Sequence, residues 1–238
     1  MSISILMPFR NCIRDLSEAS WRKCLESIIG QTYHKWNCIL VDDYSKDGSC
    51  DVLKSYKESR FTIIHNREHY GLTKSLNIAL KSAKGLYTAR HDSDDFSDSY
   101  RFRKQISFLE TNPSISVVGS HAKIFDSNMN EYDRQDKSMT HDKIMYVMRK
   151  DNPMIHGSVL MRTDALRAVG GYDEEFYVCQ DYDLWARMAR NGCQFHNIPE
   201  YLYNRISHPN CASKTYRSLR KGSVYSIRAR IKKELKNG

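Results

Sequence analysis

Short β-type runs alternate with amphipathic helical patterns through the first hundred residues, and this alternation leaves few architectures open. ISILM (3–7), NCILVDD (37–43), FTIIH (61–65) and LYTARHD (86–92) read as strands. Between them, the stretch from Leu16 to Gly30 puts Trp21, Leu25, Ile28 and Ile29 on one helical side. DGSCDVLKSYKES supports a second helix, and GLTKSLNIALKSAKG is an amphipathic helix closed by Gly85. Such alternation implies βαβ units, hence an α/β chain with a mostly parallel central sheet and helices on both faces. The continuous apolar character of ISILM and CILV suits strands buried on both sides.

The second half is less regular. RFRKQISFLE reads as a helix, ISVVGS as a strand, and HAKIFDSNMNEYDRQDKS as a hairpin or loop. IHGSVLMR has strand character, and DYDLWARMARNG is a helix with Leu184, Trp185 and Met188 on one side and a stop at Gly192. No linker or repeat divides the chain. One domain is expected, with a basic extension after it.

Ligands of open α/β sheets sit outside the carboxyl ends of the strands. Here those ends read MPFRN, VDDYSKDGS and HDSDD, all polar and two strongly acidic. ARHDSDDFSD (89–98) carries Asp92, Asp94, Asp95 and Asp98. Packed carboxylates repel, so the group needs solvent or a positive partner. Asp92 and Asp94 form a DxD pattern that an extended backbone would aim at one site. Hard oxygen donors of this kind suit Mg²⁺ or Mn²⁺. The competing reading is that Asp94, Asp95 or Ser97 caps a helix starting near Asp98. A second DxD, Asp181-Tyr182-Asp183, opens a helix, where Asp181 is either an N-cap or a functional carboxylate.

Composition narrows the classes. The chain has 238 residues, 40% hydrophobic and 27% charged, enough for one substantial core. A mean hydropathy of −0.63 and the lack of a long apolar run argue against a membrane-spanning protein. MSISILMPFRN, interrupted by Pro8 and Arg10, is read as a first strand and not a signal peptide. Seven cysteines without CxxC spacing predict neither a zinc framework nor disulfides, but reduced thiols in a cytoplasm. There is no GxGxxG after ISILM, no GxxxxGK[ST] and no GxSxG. His65, His69, His91 and His156 are not at zincin spacing.

The order of these blocks resembles that of family 2 glycosyltransferases with the GT-A fold, from about residue 2 to residue 210. The resemblance rests on ISILMPFRN, CLESIIGQTYHKWNCILVDDYSKDGS, NREHYGLTKSLNIALKSAKGLYTARHDSDD, RFRKQISFLETNPSISVVGS, IHGSVLMR and GGYDEEFYVCQDYDLWARMARNG. It is greatest to bacterial members that build lipopolysaccharide, capsule or other surface glycans. It implies a Rossmann-like domain over residues 1–210, with a nucleotide-binding half (about 1–98) and an acceptor-binding half (about 99–210). It also implies inverting transfer from a nucleotide-diphosphate sugar, usually UDP-linked, to a hydroxyl of a glycan or lipid-linked acceptor, with Mn²⁺ or Mg²⁺ as cofactor.

By the same resemblance, Pro8, Phe9 and Asn11 line the nucleotide pocket. Asp43 meets the uracil, with Asp42 beside it. Lys74 lies in a region that contacts the nucleotide. Asp94 contacts the metal and Asp92 lies nearer the ribose while sharing the ion. Asp181 is the catalytic base, and His156, Gln180 and His208 are placed to touch phosphate, metal or acceptor. Two residues depart from the pattern: Arg10 stands where an aromatic is common, and Gln180 where many relatives have Glu.

From Lys214 onward, nine basic residues face one acid, Glu234, so this tail (211–238 as a segment) carries +8 of the net +9. Leu219, Ile227, Ile231 and Leu235 are spaced at multiples of four. Two readings stand: an amphipathic helix on the anionic inner face of the membrane, or a charged helix packed on the body through its apolar stripe. A sugar nucleotidyltransferase would need a Gly-rich loop that MPFRNCIRD lacks. A nucleic-acid-binding protein is disfavoured because the acidic strand ends would repel phosphates.

Overall fold

The computed structural model describes residues 2–209, 211 and 217–234. Its strands are β1 (Ile3–Phe9), β2 (Trp36–Asp42), β3 (Phe61–His65), β4 (Tyr87–Arg90), β5 (Phe96–Ser97), β6 (Ile115–Phe125), β7 (Glu131–Gln135), β8 (Leu160–Arg162) and β9 (Gln194–Ile206). Its helices are α1 (Cys12–Asp15), α2 (Glu18–Ile29), α3 (Ser49–Ser55), α4 (Leu72–Ser82), α5 (Arg101–Thr111), α6 (His141–Met148), α7 (Thr163–Ala168), α8 (Gln180–Arg190) and α9 (Arg217–Glu234).

Alternation along β1 builds the core in two layers. Ile3, Ile5, Met7 and Phe9 share one layer with Trp21, Leu25 and Ile28 of α2 and with Phe102, Ile106 and Leu109 of α5. Leu6 belongs to the other layer, with Ile39 and Val41 of β2, Leu76, Ala79 and Leu80 of α4, and Leu184, Trp185 and Met188 of α8. Successive strand residues face opposite sides, so one buried strand feeds both. Ser4 turns to the α4 side, and its hydroxyl donates to Asn37 Oδ1 (2.9 Å) and accepts the Gly85 N–H (2.9 Å). A Cβ on Gly85 would stand 2.6 Å from the Ser4 nitrogen, so the end of the α4–β4 connection needs glycine.

The sheet runs in the order β3-β2-β1-β4-β8-β6-β9-β5, with β7 paired to β6. The first four strands are mutually parallel, as the alternation predicts. Beyond them β6 and β9 are parallel, while β8 runs antiparallel to both β4 and β6. The cause is local: β8 is entered from a 3₁₀ turn, His156–Ser158, near the carboxyl end of β4, so the chain must run back. The IHGSVLMR segment is therefore half turn and half strand.

The C-terminal helix packs on the body. Ile227 (0% exposed) and Ile231 (3%) enter the same core layer as α8, with Val224 against it. Leu219 and Tyr225 are exposed; Lys214, Leu235 and Lys236 lie outside the described residues. Among the described residues, no helix is long and apolar enough to cross a membrane.

Candidate active site

The carboxyl ends of β1, β2 and β4 open on a cleft of about 630 Å³. Pro8, Phe9, Asp43, Asp92, Asp94, His156, Gln180, Asp181 and His208 all line it, together with Arg10. Residues separated by up to two hundred positions thus converge at the place the strand topology favours.

Asn11, Asp42 and Lys74 are not in the lining. Asn11 is buried in a left-handed conformation (φ 47°). Its N–H donates to Ser45 Oγ (3.0 Å) and its Oδ1 accepts the Lys46 N–H (2.8 Å), which ties two loops together behind the cleft. Asp43 points into the cleft, so pleating sends Asp42 the other way, where Oδ1 accepts the Ser45 N–H (2.9 Å). Lys74 is exposed on α4, its ammonium 3.9 Å over the Tyr70 ring.

Asp43 organises the loop after β3. Its carboxylate accepts from Asn66 Nδ2 (2.9 Å), the Tyr70 N–H (2.7 Å), the Gly71 N–H (2.9 Å) and His69 Nδ1 (2.6 Å). An ionised carboxylate only accepts, so His69 carries its proton on Nδ1 in this contact. Gly71 makes the turn at φ 85°.

The four acids of ARHDSDDFSD have four different surroundings. Asp92 pairs with the buried Arg90 guanidinium, and its N–H donates to Tyr203 Oη (3.1 Å). Burial works to raise its pKa, but the Arg90 charge, with Arg205 behind it, outweighs this and holds it below the ordinary carboxylate value. Asp94 Oδ2 lies 3.1 Å from His208 Nε2. Asp95 turns away from the cleft, is 5% exposed, and accepts the Ile206 N–H (2.8 Å). Burial, reinforced by Asp94 and Asp92, pushes its carboxyl well above the usual range. Asp98 starts the helix: Oδ1 accepts the Tyr100 N–H (2.8 Å), its carbonyl accepts the Arg101 N–H (3.1 Å), and α5 begins at Arg101.

Two cations in this site are not visible in the sequence pattern. Arg90 is the last residue of β4, and Arg205 reaches the cleft from β9, its guanidinium held to Gln135 Oε1 (3.1 Å). Tyr203 from the same strand fills the space over Gly157, where a Cβ would sit 2.1 Å from the hydroxyl. The signal that could have found β9 is the run of strand-forming residues Tyr201, Leu202 and Tyr203.

The second DxD divides its roles. Asp181, in the first turn of α8, accepts from Asn152 Nδ2 (2.5 Å) and from the Tyr182 N–H (2.9 Å). Asp183 is fully buried and pairs with Arg187 (2.7 Å). Cys179 enters the helix at φ 61°, which leaves Gln180 and Asp181 on the cleft side. His156 Nε2 lies 2.9 Å from Tyr172 Oη, and the ring meets Trp185 edge-on. Burial, then the Arg90 charge, lowers the His156 pKa to about 4, so the ring is neutral at physiological pH.

Comparison with known proteins gives the family and the fold. Residues 4–170 match the model of Glycosyl transferase family 2. The putative glycosyltransferase EpsE of Bacillus subtilis is 36% identical over 206 residues, covering 84% of this chain and 71% of its own. The amylovoran biosynthesis glycosyltransferase AmsE of Erwinia amylovora is 30% identical over 182 residues, covering 76% and 68%. Among solved structures, S. aureus TarS 1–349 in complex with UDP superposes with a TM-score of 0.71 at 18% identity, over 97% of this chain and 65% of that one. The mannosyltransferase PcManGT of Pyrobaculum calidifontis, in complex with GDP-Man and Mn²⁺, gives 0.68 at 16%, over 95% and 62%. The chain spans about two thirds of the length of the proteins it matches. The fold is that of GT-A glycosyltransferases, and the chain belongs to Glycosyl transferase family 2.

Proposed function

We propose that this glycosyltransferase moves a sugar, with inversion, from a UDP-linked donor to a hydroxyl of a glycan or lipid-linked acceptor in bacterial surface polysaccharide synthesis. The observation that carries this reading is that Asp43, Asp94, His208, Arg205 and Asp181 line one cleft at the strand ends. The neighbours bound to UDP and GDP-Man, and the relative named for amylovoran biosynthesis, support the donor class and the pathway.

The donor's base meets the loop that Asp43 holds, beside Pro8 and Phe9. Its diphosphate meets Arg205, the cation beside the DxD acids. Asp94 and His208 fit a divalent ion: their oxygen and nitrogen atoms stand 3.1 Å apart, whereas Asp92 already has the Arg90 charge. When bound there, Mn²⁺ or Mg²⁺ stabilises the charge that grows on the leaving diphosphate. The acceptor hydroxyl attacks from the face opposite the leaving group, and Asp181 takes its proton. The Asn152 bond orients that carboxylate, and the neutral His156 stands nearby without adding charge.

The reading places the reaction in the cytoplasm. The exposed Lys221 and Tyr225 of α9 offer contact with the inner membrane face. UDP-, GDP- and dTDP-sugars assayed with Mn²⁺ for release of the nucleotide test the donor class. The proposal expects turnover of a UDP-sugar; turnover confined to the GDP- or dTDP-linked donors overturns the UDP assignment.

A further inference from the structure

A second convergence of ligating atoms lies outside the lining of the cleft. β2 and β3 pair in parallel with Asp42 beside His65, so both side chains leave the sheet on one face. Gly48, at φ 82°, turns the chain into α3 and brings Cys50 to the same place. Asp42 Oδ2 is 3.1 Å from Cys50 Sγ and 3.0 Å from His65 Nδ1, and the three atoms lie within 4.8 Å of one another. Around a tetrahedral ion with bonds of ~2.0 Å to N and O and ~2.3 Å to S, ligand atoms stand about 3.3–3.5 Å apart. The close contacts therefore need to open by only roughly 0.3–0.4 Å to admit one.

We infer that Asp42, Cys50 and His65 form a site for a thiophilic divalent cation of the zinc class, separate from the Asp94–His208 pair. A thiolate, an imidazole and one carboxylate select zinc over magnesium or manganese. The Ser45 N–H on Asp42 Oδ1 (2.9 Å) orients the carboxylate from behind. The His65 side chain is 51% exposed, which gives the ion a path in and water a fourth position. Binding displaces the Cys50 thiol proton to solvent and ties β2, β3 and α3 together. The cysteine pattern of the sequence showed no such site because its ligands come from three elements and no two share a motif.

The test uses the full chain, titrated with Zn²⁺ by calorimetry and with Co²⁺ by absorption. One thiolate-ligated equivalent should bind, and cobalt should show its charge-transfer band; an ion held by Asp94 and His208 has no thiolate and gives no such band. Cys50→Ser should remove the band and weaken Zn²⁺ binding at least about tenfold, with the fold verified by circular dichroism. His65→Gln should weaken binding similarly but keep the band, and Asp94→Ala should leave the band and the thiolate-ligated equivalent unchanged. The inference is overturned by the absence of stoichiometric uptake. It is equally overturned by a cobalt–thiolate band that survives Cys50→Ser or is lost in Asp94→Ala. None of these readouts depends on glycosyl transfer.

Discussion

Asp94 and His208, 114 residues apart in the chain, meet at 3.1 Å in the cleft. His208 is 6% exposed, and its Nδ1 has no hydrogen-bond partner among the described residues. The residue contributes to the site through Nε2. His208→Gln should therefore weaken Mn²⁺-dependent UDP binding at least about tenfold, while metal-free UDP binding stays the same. Calorimetry with and without Mn²⁺ separates the two; equal losses in both would remove His208 from the metal.

Gly157 is required by its neighbours. A Cβ there would stand 2.1 Å from Tyr203 Oη and 2.6 Å from Asp92 Oδ2. Gly157→Ala should cost about 1–3 kcal/mol of stability and displace Asp92, reducing donor affinity as well. Urea unfolding and nucleotide binding read the two effects. A fully stable variant would show that β9 yields easily.

Asp95 gives a pH-dependent prediction. Its folded-state pKa is raised by burial and by Asp94 and Asp92. The neutral form is favoured in the fold, so its contribution is present below the unfolded pKa and is lost as pH rises toward the folded one. Asp95→Asn keeps an oxygen for the Ile206 N–H and removes this penalty. It should raise Tm by about 2–4 °C at pH 8 and much less at pH 4. Thermal melts across that range check the sign, and an equal gain at both ends would contradict it.

The first four strands were legible because short apolar runs alternating with amphipathic helical patterns have few other meanings. FTIIH matches β3 to the residue, and the ISILM, NCILVDD and LYTARHD assignments differ from β1, β2 and β4 only at their ends. β9 was not, since Pro199 and register shifts against β6 break its period. With it went Tyr203 and Arg205, and with Arg205 the charge balance of the DxD. Asp42 and Asp43 look equivalent in VDDYS, but pleating gives one to the cleft and the other to the opposite side. Arg90 was hidden for a different reason: a lone basic residue ending a strand has no spacing signal, and only the fold shows its pairing with Asp92.

The tail makes a separate prediction. Ile227 is buried in the core layer that contains α8, so Ile227→Ala should destabilise the protein by about 2–5 kcal/mol. Chemical unfolding reads this directly. A tail that only served as a membrane anchor would show no change in solution.

The account rests most on Asp181, the cleft-facing carboxylate held by Asn152. With a UDP-sugar that the wild-type chain turns over, Asp181→Asn should lower kcat by ~10²–10⁴ and leave the affinity for UDP unchanged. Wild-type turnover in that variant would contradict the assignment of the base.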